Sequence, residues 1–334
     1  MRVTNKMLAT SFLNDMSNNL ENLRTLQQQM TSGKEIRRPS DDPFKVARAM
    51  QLHTGINANK QYNENISDTI NWLDTTDTAL GQAGNVLQRV RELLVSAGNA
   101  AYGSEERKAI KDEINERIEE LAQIMNTSFD GKYIFGGSRG TTKPMTTSKT
   151  CDTDNTTLDF NLLDNGIDKE NQKNMIAAKL SVEVSQGVSI DYNVTAAEIM
   201  SFKSEDGTEY NLKEILRNIV NHLDGKLDDD GEPSESDKQA AAEAITGSDL
   251  KAITDAVNNL LKIRSTVGAK QNRMESAKER NEEENFNLTE ILSNTEDIDI
   301  TEKTMEYATM QTVYIASLQT SAKVLQPTLM DYIR

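Results

Sequence analysis

After Pro43 the chain does not meet another proline until Pro144, and across the first half of that interval apolar residues recur at alternating steps of three and four. Leu52, Ile56, Ile66, Ile70, Leu73, Leu80, Leu87 and Leu94 all fall on that series. A single apolar stripe on a helix of roughly fifty residues, where globular helices usually run ~8–20, predicts a bundle or coiled coil. The start is marked as well. Asp42 can accept from the first free backbone N–H groups, and Pro43 at the first helical position has no N–H to leave unpaired.

The same grammar recurs around this helix. Leu13, Met16, Leu20, Leu23, Gln27 and Met30 form a heptad seam ahead of it, ended by Gly33. Gly103-Ser104-Glu105-Glu106 reads as stop, cap and acidic first turn for a helix with Ile110, Ile114, Ile118, Leu121 and Met125 on one face. A second long helix is expected from Ser248 or Asp249, with Ile253, Val257, Leu260, Val267, Met274, Leu288 and Leu292 in phase. Near the end, Ile315, Leu318, Ala322, Leu325, Leu329 and Tyr332 repeat the seam, and no charged residue lies between Tyr307 and Ala322. Such a helix is sticky in a monomer.

The pattern changes between these helices. Phe129-Asp130-Gly131 followed by Lys132-Tyr133-Ile134-Phe135 is a turn into a strand. From about Ser138 to Phe202 the chain is rich in Thr, Asn, Asp and Ser, with short alternating runs from Leu180 and from Val188, and reads as a separate, mostly β insert. A helix is expected near Leu212 to Leu223, then a solvated loop over the acidic stretch Asp224 to Glu243.

Composition fits narrow stripes better than a thick core. The 334 residues suggest about two or three domains. Only 36% are apolar and 5% aromatic, so the core is thin or apolar stripes are buried against other subunits. A net charge of −16 argues against nucleic acid as a partner. No stretch approaches ~18 uninterrupted apolar residues, so no membrane insertion is expected. The first residues, MRVTNKMLATSF, make a poor cleavable signal peptide. The single cysteine, Cys151, cannot form an internal disulfide.

Reactive constellations are not apparent. His53 and His222 have no metal-ligand spacing and read as ordinary surface or bundle histidines. Gly136 to Lys143 departs from the phosphate-loop spacing and reads as a domain hinge. Asp228-Asp229-Asp230-Gly231 resembles part of a calcium loop, but Lys226 stands where the first carboxylate belongs and Asp237 where a bidentate glutamate does. An enzyme seated in residues 141–205 would need a base, and that segment holds no histidine to activate Cys151. No catalytic, cofactor-binding or metal-binding residue is nominated.

Longer motifs carry more information. Met1-Arg2-Val3-Thr4 ahead of an amphipathic helix, then Met30-Thr-Ser-Gly-Lys-Glu-Ile-Arg-Arg-Pro-Ser-Asp-Asp-Pro43, resembles the N-terminal signature of the flagellin superfamily. The Pro39-Ser-Asp-Asp-Pro43 form is similar to its hook–filament junction family. So are Ser96-Ala-Gly-Asn99, Asn126-Thr127, Gly131 to Gly137, Val267 to Met274, and the ending Lys323-Val-Leu-Gln-Pro-Thr-Leu-Met-Asp-Tyr-Ile333. The resemblance covers about residues 1–140 and 250–334, and leaves 141–205 without an assignable motif. Flagellin itself typically has Ala in place of Pro39 or Pro43 and lacks the Gln326-Pro327 step; a filament subunit is the alternative reading.

The fold expected is mainly α: an elongated rod of long helices and terminal coiled-coil helices with a small inserted β-rich domain. The resemblance implies residues 1–40 with 295–334 as an inner tube, 41–140 with 206–294 as a helical rod, and 141–205 as an outward insert. It implies a structural, extracellular part of the bacterial flagellum with no cofactor, exported unfolded through the flagellar export apparatus with an export chaperone. Its partners would be the first hook-associated protein on the hook side, flagellin on the filament side, and lateral copies of itself. The residues expected to carry assembly are Leu13, Met16, Leu20, Leu23, Met30, Ile315, Leu318, Leu325 and Leu329.

Overall fold

The computed structural model of the chain describes residues 5–98, 103–149, 155–163, 168–204, 207–226 and 235–324. Helix α1 spans Asn5–Ser32, and α2 spans Pro43–Ala97 as one uninterrupted 55-residue helix. Asp42 caps α2, its carboxylate accepting from Phe44 N at 3.0 Å and Lys45 N at 3.1 Å. Helix α3 spans Ser104–Met125. Its cap is the backbone of Gly103 rather than Ser104: the Glu106 carboxylate reaches back to accept from Gly103 N at 2.9 Å, which leaves Ser104 as the first helical residue.

The chain then forms four antiparallel hairpins: β1 (Ser128–Phe129) with β2 (Lys132–Tyr133), β3 (Met145–Lys149) with β4 (Thr156–Phe160), β5 (Ser181–Ser185) with β6 (Val188–Asp191), and β7 (Ser201–Lys203) with β8 (Glu209–Asn211). Asp130 at φ 49° and Gly131 at φ 73° make the first turn, the two left-handed positions that a two-residue hairpin loop of this type requires. Short helices α4 (Lys169–Ala177) and α5 (Ala196–Met200) lie between hairpins. Helix α6 spans Leu212–Leu223, α7 Glu235–Ala244, α8 Leu250–Glu296 and α9 Ile300–Val324.

Within the acidic stretch the described residues from Glu235 onward depart from the expected loop, since they form α7. The run Gln239-Ala240-Ala241-Ala242 has high helix propensity, and Ala241 is buried, so packing and propensity prevail over the charge. A π-helical turn, Ile245–Asp249, then joins α7 to α8, and the long helix starts at Leu250.

Two compact units are formed: residues 1–60 with 282–334, and residues 61–281. In the second, the stripe expected on α2 is the buried one. Ile66, Leu73, Leu80, Leu87 and Leu94 join Ile114, Ile118, Leu121 and Met125 of α3, Ile215, Leu216 and Ile219 of α6, and Ile253, Leu260, Val267 and Met274 of α8 in one core. Full burial of each such side chain is worth about 1.5–3 kcal/mol. Arg264 on α8 grips Asp77 on α2 through two bonds of 2.7 and 2.9 Å, and Gln271 donates to Asp74 at 2.8 Å.

Among the described residues the hairpins share the core of the long helices. Met145, Leu158, Ile176, Val184 and Ile199 belong to the same cluster as the long helices, and β3 and β4 pack on α3 and α6. Asn126 brackets the start of β3, accepting from Met145 N and donating to Met145 O, both at 3.0 Å.

The segment Gly136–Lys143 is a pinned turn and not the hinge expected of it. Arg139 donates to Thr142 Oγ1, Gln172 Oε1 and the Asn161 carbonyl at 2.5, 2.9 and 2.6 Å. Gly137, at φ 57°, approaches α4 so closely that a Cβ would lie 2.4 Å from the Ile176 carbonyl oxygen.

Candidate functional site

Helices α1 and α9 pack against each other in the first unit. The connector after α1 and the one before α9 are zipped together: Glu35 N donates to Glu296 O at 2.7 Å, and Ile298 N to Gly33 O at 3.1 Å. Gly33, at φ 72°, makes the left-handed stop that ends α1. Lys34 adds an ion pair to Glu296 at 2.7 Å, and His53 Nε2 lies 3.3 Å from the other oxygen of that carboxylate. Because α1 runs into this junction and α9 runs out of it, the pair is antiparallel.

Capping fixes where each terminal helix begins and ends. The Asp299 carboxylate accepts from Thr301 N at 2.8 Å and Glu302 N at 3.3 Å, which holds its pKa below the ordinary aspartate value, Glu302 contributing most. Asp41 does the same for the first connector, accepting from Arg38 N at 2.9 Å and Arg37 N at 3.3 Å, and its pKa is likewise lowered.

The two helices meet along half-buried stripes. On α1 these are Phe12, Met16, Asn19, Leu23, Leu26 and Met30; on α9 they are Lys303, Tyr307, Met310, Tyr314 and Ser317, ending at buried Ser321. Both are steps of three and four. Of the residues expected to carry assembly, Met16, Leu23 and Met30 lie in this intrachain stripe. Leu13 and Leu20 lie outside it and are 45% and 51% exposed; Ile315 and Leu318 are 49% and 43% exposed. Leu325 and Leu329 fall outside the described residues.

The terminal helices therefore carry two apolar faces each. One is used within the chain. Met7, Met305 and Val313 are exposed as well, at other angles around the two helices. Sequence periodicity missed Phe12, Leu26, Tyr307, Met310 and Tyr314, although the same three-four rule fits them.

Polar side chains in the second unit are mostly committed to structure. Lys111 pairs with Asp224 at 2.9 Å and donates to Asn155 at 3.3 Å, and Asn155 donates to Asn221 at 3.3 Å. His222 Nδ1 lies 2.6 Å from Asp249 Oδ2, which fastens α6 to the π-helical turn. Ser248 contacts the other oxygen of Asp249, so the carboxylate stands between hydroxyl and imidazole, and the histidine is not placed to take the hydroxyl proton. Among the described residues no group of three His, Cys, Asp or Glu side chains is gathered to hold a metal. No helix among them is long and apolar enough to cross a membrane.

Comparison with known proteins addresses both ends of the chain. The bacterial flagellin N-terminal helical region matches residues 3–139, and the bacterial flagellin C-terminal helical region matches residues 250–333. Flagellin of Bacillus subtilis is 28% identical over 314 residues, covering 92% of this chain and 90% of that protein. Flagellar hook-associated protein 3 of Escherichia coli is 23% identical over 318 residues, covering 95% of each. The fold resembles flagellar hook-associated protein-3 of Legionella pneumophila, with 15% identity and a TM-score of 0.60 over 73% of this chain and 98% of that one. It also resembles a putative flagellar hook-associated protein of Vibrio parahaemolyticus, with 20% identity and a TM-score of 0.58 over 77% and 100%.

Proposed function

This chain belongs to the flagellin family, and from that premise we propose that it forms the junction between the hook and the filament of the bacterial flagellum. The observation that carries this reading is the end-to-end correspondence with hook-associated protein 3 of Escherichia coli, 95% of both chains, which runs through the middle as well as the conserved-type ends. The likeness in fold to hook-associated proteins agrees with it.

In this role the chain is a structural adaptor. One end of its layer meets a hook-associated protein and the other meets flagellin, and lateral copies of the chain complete the layer. The second apolar faces of α1 and α9 supply the contacts. Ordering a helical residue costs about 1–2 kcal/mol of backbone entropy, and a two-helix pair with half-exposed stripes does not offset that alone. Neighbours that cover Leu13, Leu20, Ile315 and Leu318 do, so folding of the ends is coupled to assembly. Leu325 and Leu329 extend the same seam in sequence. The division into an inner tube of residues 1–40 with 295–334, a rod and an outward insert belongs to this proposal. So does delivery by the flagellar export apparatus and an export chaperone.

A filament subunit is the second reading, favoured by the match to Bacillus subtilis flagellin. Seeding separates the two. Purified chain added to filament fragments is expected to leave their length unchanged, whereas extensive elongation would make it a flagellin and overturn the junction reading.

A further inference from the structure

In the second unit, α2 and the hairpins β1–β2 and β5–β6 line an open cleft of 680 Å³, within the ~300–1,000 Å³ of small-molecule sites. Phe129 on β1 and Tyr192, just past β6, line it and are only half-buried. Both meet the one tryptophan of the chain, Trp72 on α2, which is 7% exposed. The contacts are edge to face: 6.0 Å between centroids and 84° between planes for Phe129, 5.8 Å and 88° for Tyr192. Two rings braced on one buried indole are held in position before any ligand arrives.

The polar groups of the cleft fall into two sets. Asn65 and Thr69 are committed to structure: Asn65 donates to Glu183 O at 3.4 Å and accepts from Gln61 at 3.3 Å, and Thr69 donates to Asn65 O at 2.7 Å. Asp68, Asp130 and Lys132 are exposed, and neither they nor the Tyr192 hydroxyl have a side-chain hydrogen bond or ion pair among the described residues. Burial raises the pKa of the Tyr192 phenol, so it stays a neutral donor. The free set therefore holds two acceptors of negative charge, one cationic donor and one neutral hydroxyl.

That mixture selects among ligand classes. A cation meets Lys132, and an anion meets two carboxylates, so neither is matched. A peptide added as a strand along β5 finds the carbonyls of Glu183 and Val184 already accepting from Asn65 and Asn281. A sugar chain fits on both counts, because its ring carries an apolar C–H face and hydroxyls that donate and accept at once. We propose that this cleft binds a neutral oligosaccharide, with its C–H faces on Phe129 and Tyr192 and its hydroxyls on Asp68, Asp130, Lys132 and the Tyr192 phenol. Hydroxyl-to-carboxylate bonds are charge-assisted and carry most of the polar contribution. The inference is independent of whether the chain joins hook to filament or builds the filament, so a failed binding test leaves that reading as it stands.

The cleft contains its own reporter. Trp72 is the only tryptophan, so indole emission from the purified full-length chain reads this place alone. Cellotetraose, maltotetraose and chitotetraose serve as neutral probes, and tetragalacturonate as the acidic one. At least one neutral tetrasaccharide is expected to change the emission saturably and to receive magnetisation from the protein in saturation-transfer NMR, with tetragalacturonate doing neither. If no neutral probe at about 10 mM does so, the proposal is overturned. Binding of tetragalacturonate as tight as that of the neutral sugars also overturns it, since it would make the cleft an anion site.

A conservative variant locates the contacts. Asp68→Asn with Asp130→Asn removes both charges and keeps the side-chain shapes, and asparagine tolerates the left-handed backbone of position 130. Melting of this variant should match the parent, as both positions are exposed. Its affinity for the bound tetrasaccharide should fall about tenfold. A folded double variant that binds as tightly as the parent overturns the proposal.

Discussion

Asn281 on α8 donates its side-chain amide to the carbonyl oxygen of Val184 on β5 at 2.8 Å, with the asparagine only 1% exposed. The long helix thereby satisfies a strand carbonyl that lies away from water. Truncation leaves that carbonyl unpaired, so Asn281→Ala is expected to lower stability by about 1–3 kcal/mol, read as a fall in urea midpoint at unchanged slope. An unshifted midpoint would mean that the hairpin is held by its apolar contacts alone.

Gly137 is the second place where the hairpin region and the helices fit without slack. A Cβ there would sit 2.4 Å from one backbone oxygen of α4 and 2.5 Å from another, at a φ of 57° that side chains rarely adopt. Gly137→Ala should cost at least about 1–2 kcal/mol from the left-handed backbone, with displacement of α4 adding to it. Thermal unfolding measures the loss. A variant as stable as the parent would contradict the pinned turn and revive the hinge expected from the glycines.

Acid should weaken the caps of the first unit. Hydrogen bonds from the Glu302 and Thr301 amides lower the pKa of Asp299 in the folded chain. The stabilisation is therefore complete above the ordinary aspartate pKa and is lost as pH falls through the lowered native one. Protection of the Thr301 and Glu302 amides against hydrogen exchange should decline over that acid window in the parent chain. In Asp299→Asn the step should vanish. A step that persists in that variant would assign it to another carboxylate.

Outward and inward leucines should separate assembly from stability. Leu73→Ala removes a fully buried side chain and should cost about 2–5 kcal/mol. Leu20→Glu and Leu318→Glu change half-exposed positions and should leave the melting of the monomer within about 0.5 kcal/mol of the parent. The same two variants should fail to enter the junction while still reaching the medium. Normal incorporation would remove the outward faces from the account.

Much of this architecture was legible in the residues, and the failures have physical causes. The α2 stripe from Ile66 to Leu94 could be read because a buried face on a long helix has one period and no competitor. Leu212–Leu223 and the Asp130-Gly131 turn could be read for the same reason: propensity, pattern and burial agree. The phase of the terminal helices was not legible. On α1 the series through Leu13 and Leu20 and the series through Phe12 and Leu26 both satisfy the three-four rule and share Met16, Leu23 and Met30. Only the position of α9 shows which one faces inward. On α9 the inward stripe contains Lys303, Ser317 and Ser321 and is less apolar than the outward series through Ile315 and Leu318, so apolar pattern alone does not show which face packs on α1. Helix α7 was hidden by its charge, and the sharing of one core by hairpins and helices depends on tertiary contacts that no local pattern encodes.

The most direct test of the central claim is electron microscopy of cells from which this gene alone has been deleted, with flagellin assayed in the medium. The account predicts hooks that end without filaments and flagellin lost to the medium, both reversed when the full-length chain is restored. Filaments of normal number and length on the deleted cells would contradict it.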